Sequence, residues 1–409
     1  GEPMAKRSRK QPGQTSIEKK PEVSIINKPA KVSFWYYILP PSLLTLITAL
    51  FYWPSLTYPF QFDDVANITK NFSVRYQHSF TGWWKTTGRW IGEYITRLNF
   101  KVNRFDPYVF RITNLAIHLI TGCVLFFLVL ELCRFTKAKS FLHKHAITIA
   151  TLTSGLFLLH PVQTQTISYV VQARMEGLAA LFIFATLLLF IKAFQTQNMI
   201  IRSVLVVFTL IVGYFSCGTK EISIILPILA IMIDWFWLSE GQWQSFKKRL
   251  WFHALLAFVI WGMFLYNFSS KFFTDAVSMK GSAHNNRGNI LTTHAHEKIT
   301  AFKYLISEFK VILHYLVMFI VPVGISVEYD WVISNGFFSY DSILPFLALL
   351  SLFAMSLYIM FKKQAHSYIS FGILWFLISV APRSSVIPAP ELVCDYKTYI
   401  SSFGILFLI

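Results

Sequence analysis

Long apolar runs alternate with short polar turns along almost the whole chain. The runs lie at about 34–56, 108–132, 146–160, 176–194, 201–217, 221–238, 250–267, 342–361, 367–381 and 398–409. Roughly 18 or more consecutive apolar residues are read as a membrane-crossing helix. An eleventh stretch, 302–323, is mixed, because Lys303, Glu308, Lys310 and His314 interrupt it. The pattern predicts an all-α polytopic membrane protein, a bundle of about ten to eleven transmembrane helices. Two stretches, 57–107 and 268–341, are too long and too polar to be turns. The first is rich in aromatics (Trp83, Trp84, Trp90, Tyr94), which suits a segment lying in the membrane interface. The second contains the mixed stretch, predicted to be an interfacial or re-entrant helix rather than a crossing one. Residues 1–33 are basic and broken by proline, and read as a disordered cytoplasmic tail whose opening Gly1-Glu2-Pro3 resembles a tag remnant. Residues 34–409 form the transmembrane module. The last run reaches the end of the sequence, so the chain reads as part of a longer protein.

Composition strengthens this class. The 409 residues are 55% hydrophobic and only 14% charged, against about 25% charged in soluble domains. The net charge of +17 does not call for nucleic acid as a partner, because cytoplasmic loops of membrane proteins collect Lys and Arg. With the tail inside, the basic clusters at 134–145, 192–202 and 247–249 alternate correctly, and the cluster at 362–363 also falls inside only if 302–323 does not cross. Asp63, Asp64, His160, Arg174, Lys220 and Lys397 then share the outer face. Cys123, Cys133, Cys217 and Cys394 have neither CxxC nor metal spacing and read as packing residues.

Candidate chemistry gathers on that outer face. Asp63 and Asp64 follow the first apolar run. Close carboxylates push their pKa values apart, so one stays ionised as a base while the other positions it. They would also suit a hard cation, and the plain alternative is a polar end to the span. Arg174 sits at the mouth of a span, where a guanidinium suits bidentate phosphate binding or snorkels to the interface. Lys220 and Glu221 occupy a tight turn; the lysine is a point charge for phosphate or one half of a self-contained ion pair. Lys397 and Tyr399 precede the last run. Basic residues of the first loop, Arg89 among them, suit an anionic head group. Arg111, Asn114, His118 and Thr121 recur at helical spacing, and such a stripe usually faces the bundle interior and satisfies itself. His160 begins His160-Pro161-Val162-Gln163-Thr164, a helix-ending segment. His294, His296 and Glu297 lack helical metal-site spacing, so no metal site is assigned there.

Several of these motifs occur in one order: Phe62-Asp63-Asp64, Arg89 then Leu98-Asn99-Phe100, Asn114 four residues before His118, His160-Pro161 with Thr164 running on to Arg174, and Lys220-Glu221. In that order the chain resembles the GT-C fold glycosyltransferases, in particular the TMTC-type O-mannosyltransferases and their bacterial relatives. The family's last motif, usually built on Arg-Leu-Tyr, is here Lys397-Thr398-Tyr399. The resemblance implies transfer of a sugar from a polyprenyl-phosphate donor to an acceptor hydroxyl of a protein or glycan, on the non-cytoplasmic face, by inverting single displacement. It implies Asp63 as base with Asp64 assisting, or the reverse. It places the donor phosphate on Arg174, Lys220, Arg89 and Lys397, with His160, Glu221, His118 and Tyr399 in support. The branch implies no required metal or other cofactor.

A transporter or flippase of a lipid-linked anion is the competing class. It would show paired repeats and charges near mid-membrane, whereas here the charges lie at one face and no internal repeat is seen. A third class is another transferase on the same lipid, with a different acceptor. The sequons at Asn67 and Asn71 lie beside the aspartates, where a glycan would crowd them. That favours a bacterial plasma membrane over the endoplasmic reticulum.

Overall fold

A computed structural model describes residues 34–75, 88–136, 140–267, 300–389 and 391–409. The tail, the loop tryptophans Trp83 and Trp84, and the His294–Glu297 cluster lie outside the described residues. The helices of these segments are α1 (Trp35–Tyr52), α2 (Trp90–Asn103), α3 (Pro107–Phe135), α4 (Ala146–Leu159), α5 (Leu178–Gln195), α6 (Met199–Cys217), α7 (Leu226–Ile233), α8 (Leu250–Asn267), α9 (Ala301–Ile320), α10 (Tyr340–Lys362), α11 (Ser367–Val380) and α12 (Ser402–Leu406), joined by shorter helical turns. No strand occurs among the described residues.

The protein is a multi-pass, all-α membrane protein. Among the described residues seven helices are long and apolar enough to cross a bilayer, or eight if α4 and the following Pro161–Ser168, bent by 49°, count as one span. This corrects the expectation of ten to eleven. The run at 367–381 forms only the 14-residue α11, about 21 Å long against a hydrocarbon core of about 30 Å. The run at 398–409 reaches the end of the sequence and holds the five-residue α12 within it. The mixed stretch is indeed a continuous helix, α9, but one face of it buries Ser307 and Glu308 against the bundle. Its charges keep it out of the crossing set.

The centre of the bundle is α3, which packs against α1, α4 and α5. Its buried polar stripe bonds mainly to backbone carbonyls of neighbouring segments, while Asn114 Oδ1 is left without a partner among the described residues. Arg111 donates to the carbonyls of Tyr58 (2.7 Å), Pro59 (2.6 Å) and Ser168 (3.0 Å). Asn114 Nδ2 donates to Ile167 O at 3.0 Å. These bonds join the end of the first span to the turn before α5, and they bring residues 58–64 beside residues 167–171.

Two glycines dock α2 on the same end. A Cβ on Gly92 would stand 2.8 Å from the Arg174 carbonyl, and one on Gly218 would stand 2.6 Å from the Trp90 indole nitrogen. The Ile91 amide donates to Gly218 O at 2.9 Å. The start of α2 therefore lies against the turn that carries Lys220. The turns at 59–64, 165–176, 217–221 and 383–396 thus meet at one end of the bundle, as the charge pattern predicted.

Candidate functional site

Asp63 and Asp64 are adjacent in sequence but have opposite environments. Asp64 is fully buried. Its carboxylate accepts from the amides of Val170 (Oδ2, 3.1 Å) and Val171 (Oδ1, 3.0 Å). These are free N–H groups at the start of a helical segment, where an anion is favoured. Burial pushes its pKa up to about 6, opposed by the two amides and by Arg174 and Arg111. Asp64 therefore pins the loop onto the bundle. Asp64→Ala leaves both amides without a partner, and each unsatisfied buried donor costs about 1–3 kcal/mol. Its unfolding midpoint in detergent should fall well below that of Asp64→Asn, whose amide oxygen still accepts one bond.

Asp63 is half-buried, and among the described residues its carboxylate accepts no hydrogen bond. The preceding Phe62 has φ of +45°, a left-handed conformation that costs a non-glycine residue about 1–3 kcal/mol. The strained turn separates the directions of the two side chains. Burial raises the Asp63 pKa, the charges of Glu391 and Glu328 raise it further, and Lys220 opposes them. A free carboxylate with a raised pKa is suited to accept a proton.

Three cations lie on the same end. Lys220 Nζ is 3.0 Å from Glu176 Oε1 and 3.0 Å from Gln172 Oε1. Arg383 shares the same Glu176 oxygen at 2.6 Å. Both cations face the ring of Tyr396, at 5.0 Å and 5.9 Å. Arg89 binds Glu221 through Nε (2.8 Å) and Nη2 (3.0 Å). Burial first, and then the charge of Arg383, lower Lys220 to about 8. The cluster holds one more cation than carboxylate and opens through the partly exposed Arg89 and Arg383.

Arg383, Glu176, Gln172 and Tyr396 were not singled out from the sequence. Arg383 had a legible signal: it follows an apolar run on the same face as Lys220. Its pairing with Glu176, more than 200 positions away, had none.

Two residues expected on the phosphate lie elsewhere. Arg174 does lie near the start of the span Val170–Gln195, but its side chain turns inward. It is 1% exposed, donates to the carbonyls of Val170 and Phe110, and covers the Phe110 ring. Its guanidinium is enclosed by the bundle, with Nε left without a partner among the described residues. Lys397 is also buried, and donates to the backbone carbonyls of Glu391 and Leu392. It holds the 391–397 turn and does not join the cluster.

The supporting residues divide likewise. Glu221 belongs to the cluster. His118 and Tyr399 bond to each other at 2.6 Å inside the bundle. His160 closes the joint between α4 and the next turn, with Phe319 O 3.2 Å from its Nε2. Among the described residues no group of three His, Cys, Asp or Glu side chains could hold a metal.

A free carboxylate thus stands near a net-positive cluster at one end of the apolar helical bundle of a multi-pass membrane protein. Over 199 residues the chain is 27% identical to Protein O-mannosyl-transferase TMTC3 of Mus musculus, an alignment covering 45% of this chain and 20% of the relative. The Homo sapiens protein of the same name is 27% identical over 174 residues, 39% of this chain and 18% of the relative. The chain thus aligns with about a fifth of the length of these curated relatives. No family model matches the chain, and no solved structure matches it. The partial homology bears out the resemblance to TMTC-type enzymes.

Proposed function

We propose that this protein is a glycosyltransferase that moves a hexose from a polyprenyl-phosphate donor to an acceptor hydroxyl, with protein serine or threonine as the acceptor class. The observation that carries the reading is the placement of the free Asp63 carboxylate beside the cluster of Lys220, Arg383 and Arg89. The names of the mammalian relatives support transfer of mannose.

In this reading the lipid tail lies along the apolar helices and the phosphate enters the cluster. Asp63 takes the proton of the acceptor hydroxyl. The acceptor oxygen forms the new bond to the anomeric carbon as the bond from that carbon to the phosphate oxygen breaks, with inversion. The leaving phosphate keeps the electron pair, and the cations offset the charge that grows on it. Arg383 takes the place first given to Arg174, and no metal is required. The membrane module spans residues 34–409, with the reacting end on the non-cytoplasmic side.

Both relatives are mammalian, so the expectation of a bacterial plasma membrane draws no support from them. The sequon argument behind it also weakens, because the Asn67 amide donates to the Asp63 carbonyl at 2.9 Å. The endoplasmic reticulum is the membrane we propose.

The test is release of free polyprenyl phosphate from polyprenyl-phosphate mannose by the purified protein in detergent, with a Ser/Thr-rich acceptor peptide present. A protein that neither binds nor consumes the donor is not this enzyme. Activity should also follow a bell with pH. The rising limb reports Asp63 losing its proton, above the usual carboxylate range. The falling limb reports Lys220 losing its charge above about 8, and should appear as a rising KM for donor. Lys220→Arg, which stays charged, should remove the falling limb; if the limb persists, Lys220 is not its source.

A further inference from the structure

A sizeable cavity lies at the opposite end of the bundle. Its volume is about 670 Å³, within the usual range of small-molecule sites. It is framed by the turn after α3, the turn after α7 and the junction of α10 with α11. The 29-residue α3, about 44 Å long, carries Arg111 near one end and Phe135 at the other. The cavity therefore takes no part in the chemistry at Asp63.

Six of its fifteen lining residues are aromatic, with Phe135, Phe141, Trp235 and Tyr368 among them. Among the described residues Glu240 is the only carboxylate or cation in the lining. That is anomalous on an end whose turns carry Arg134, Lys144, Lys247, Lys248, Lys362 and Lys363. Among the described residues Glu240 forms no ion pair, although Arg249 is close in sequence. Arg249 is committed to the buried Asp234, at 2.8 Å and 2.7 Å. Ser239 and His253 complete that network, each bonded to Asp234.

The network winds the turn that presents Glu240. The Ser239 amide donates to Asp234 O at 2.7 Å and the Gly241 amide to Trp235 O at 2.8 Å. Glu240 is held at φ of +47° and Gly241 at +71°. A non-glycine residue kept in the left-handed region beside a buried hydrogen-bonded network is a costly arrangement. Here it sets an unpaired carboxylate at an aromatic chamber.

Aromatic faces attract a cation through the ring quadrupole, and a neighbouring carboxylate adds to the attraction. A quaternary ammonium suits such walls best, because it needs no hydrogen bonds, whereas a primary ammonium needs three acceptors. We propose that this cavity binds a trimethylammonium head group, carried by a choline phospholipid or by a soluble choline compound.

The test uses the purified protein in maltoside detergent. Dihexanoyl phosphatidylcholine, dihexanoyl phosphatidylethanolamine and choline chloride are titrated separately, following tryptophan fluorescence and the unfolding midpoint. The choline lipid should bind about tenfold more tightly than the ethanolamine lipid, and Glu240→Gln should weaken it about fivefold or more. The Glu240 side chain is exposed, so this variant should fold normally; Trp235→Leu supplies a second, aromatic probe. Choline chloride matching the lipid assigns a soluble ligand, and choline chloride failing where the lipid binds assigns the membrane. Equal affinity for the two lipids, or wild-type affinity in Glu240→Gln, overturns the proposal. Because the readout is binding at this end alone, the result is separate from the fate of the transferase reading.

Discussion

Asp63→Asn should lower sugar transfer by about 10²–10⁴-fold, the range supplied by a positioned general base. The substitution keeps the shape and removes the proton acceptor. Asp63 is half-buried and makes no side-chain hydrogen bond among the described residues, so folding should be unaffected. Donor affinity should also hold, because the cations that would meet the phosphate are paired with Glu176 and Glu221 and not with Asp63. Turnover and donor binding, measured on the same preparation, separate these effects. A variant that keeps more than about a tenth of wild-type turnover removes Asp63 as the base.

Arg383→Ala should have the second large effect, about 10²–10³-fold on kcat/KM, comparable to removing one preorganised group that stabilises transition-state charge. Glu176 would keep Lys220 as its partner, so the site should stay assembled. One further change distinguishes an electrostatic role from a structural one. Arg383 is among the charges that hold Lys220 down. Without it the Lys220 pKa rises, and the alkaline limb of the activity profile should move to higher pH. Loss of activity with an unmoved limb would place Arg383 outside the cluster's electrostatics. Arg174→Ala should behave differently: it strips partners from two buried carbonyls, so stability falls by on the order of 2–4 kcal/mol. A variant that folds normally but loses donor affinity would return Arg174 to the phosphate.

The contrast between Arg383 and Arg174 shows where sequence reading ran out. Both arginines follow or open apolar runs on the same face, and by position alone Arg174 was the better candidate. The difference is direction. Arg174 lies in the helical turn leading into α5 and points into the bundle, towards the Phe110 carbonyl and ring. Arg383 lies in the turn after α11 and reaches Glu176 across the bundle. The two aspartates make the same point at closer range. Their adjacency suggested a divided pair, but only the amides of Val170 and Val171 showed which one is held.

What the sequence determined by itself was the class of molecule, the end of the bundle at which the charges gather, and a partial homology to O-mannosyltransferases. Hydrophobic run length and the distribution of Lys and Arg are one-dimensional properties, and the bilayer acts on them directly. The tertiary structure decided the number of helices long enough to cross. It also decided the separation of Asp63 from Asp64, the inward burial of Arg174 and Lys397, the pairing of Arg383 with Glu176, and the aromatic side chains near Glu240. Each of these depends on which way a side chain faces and on what meets it from a distant turn. No spacing along the chain encodes that, because the partners are brought together only when the helices pack.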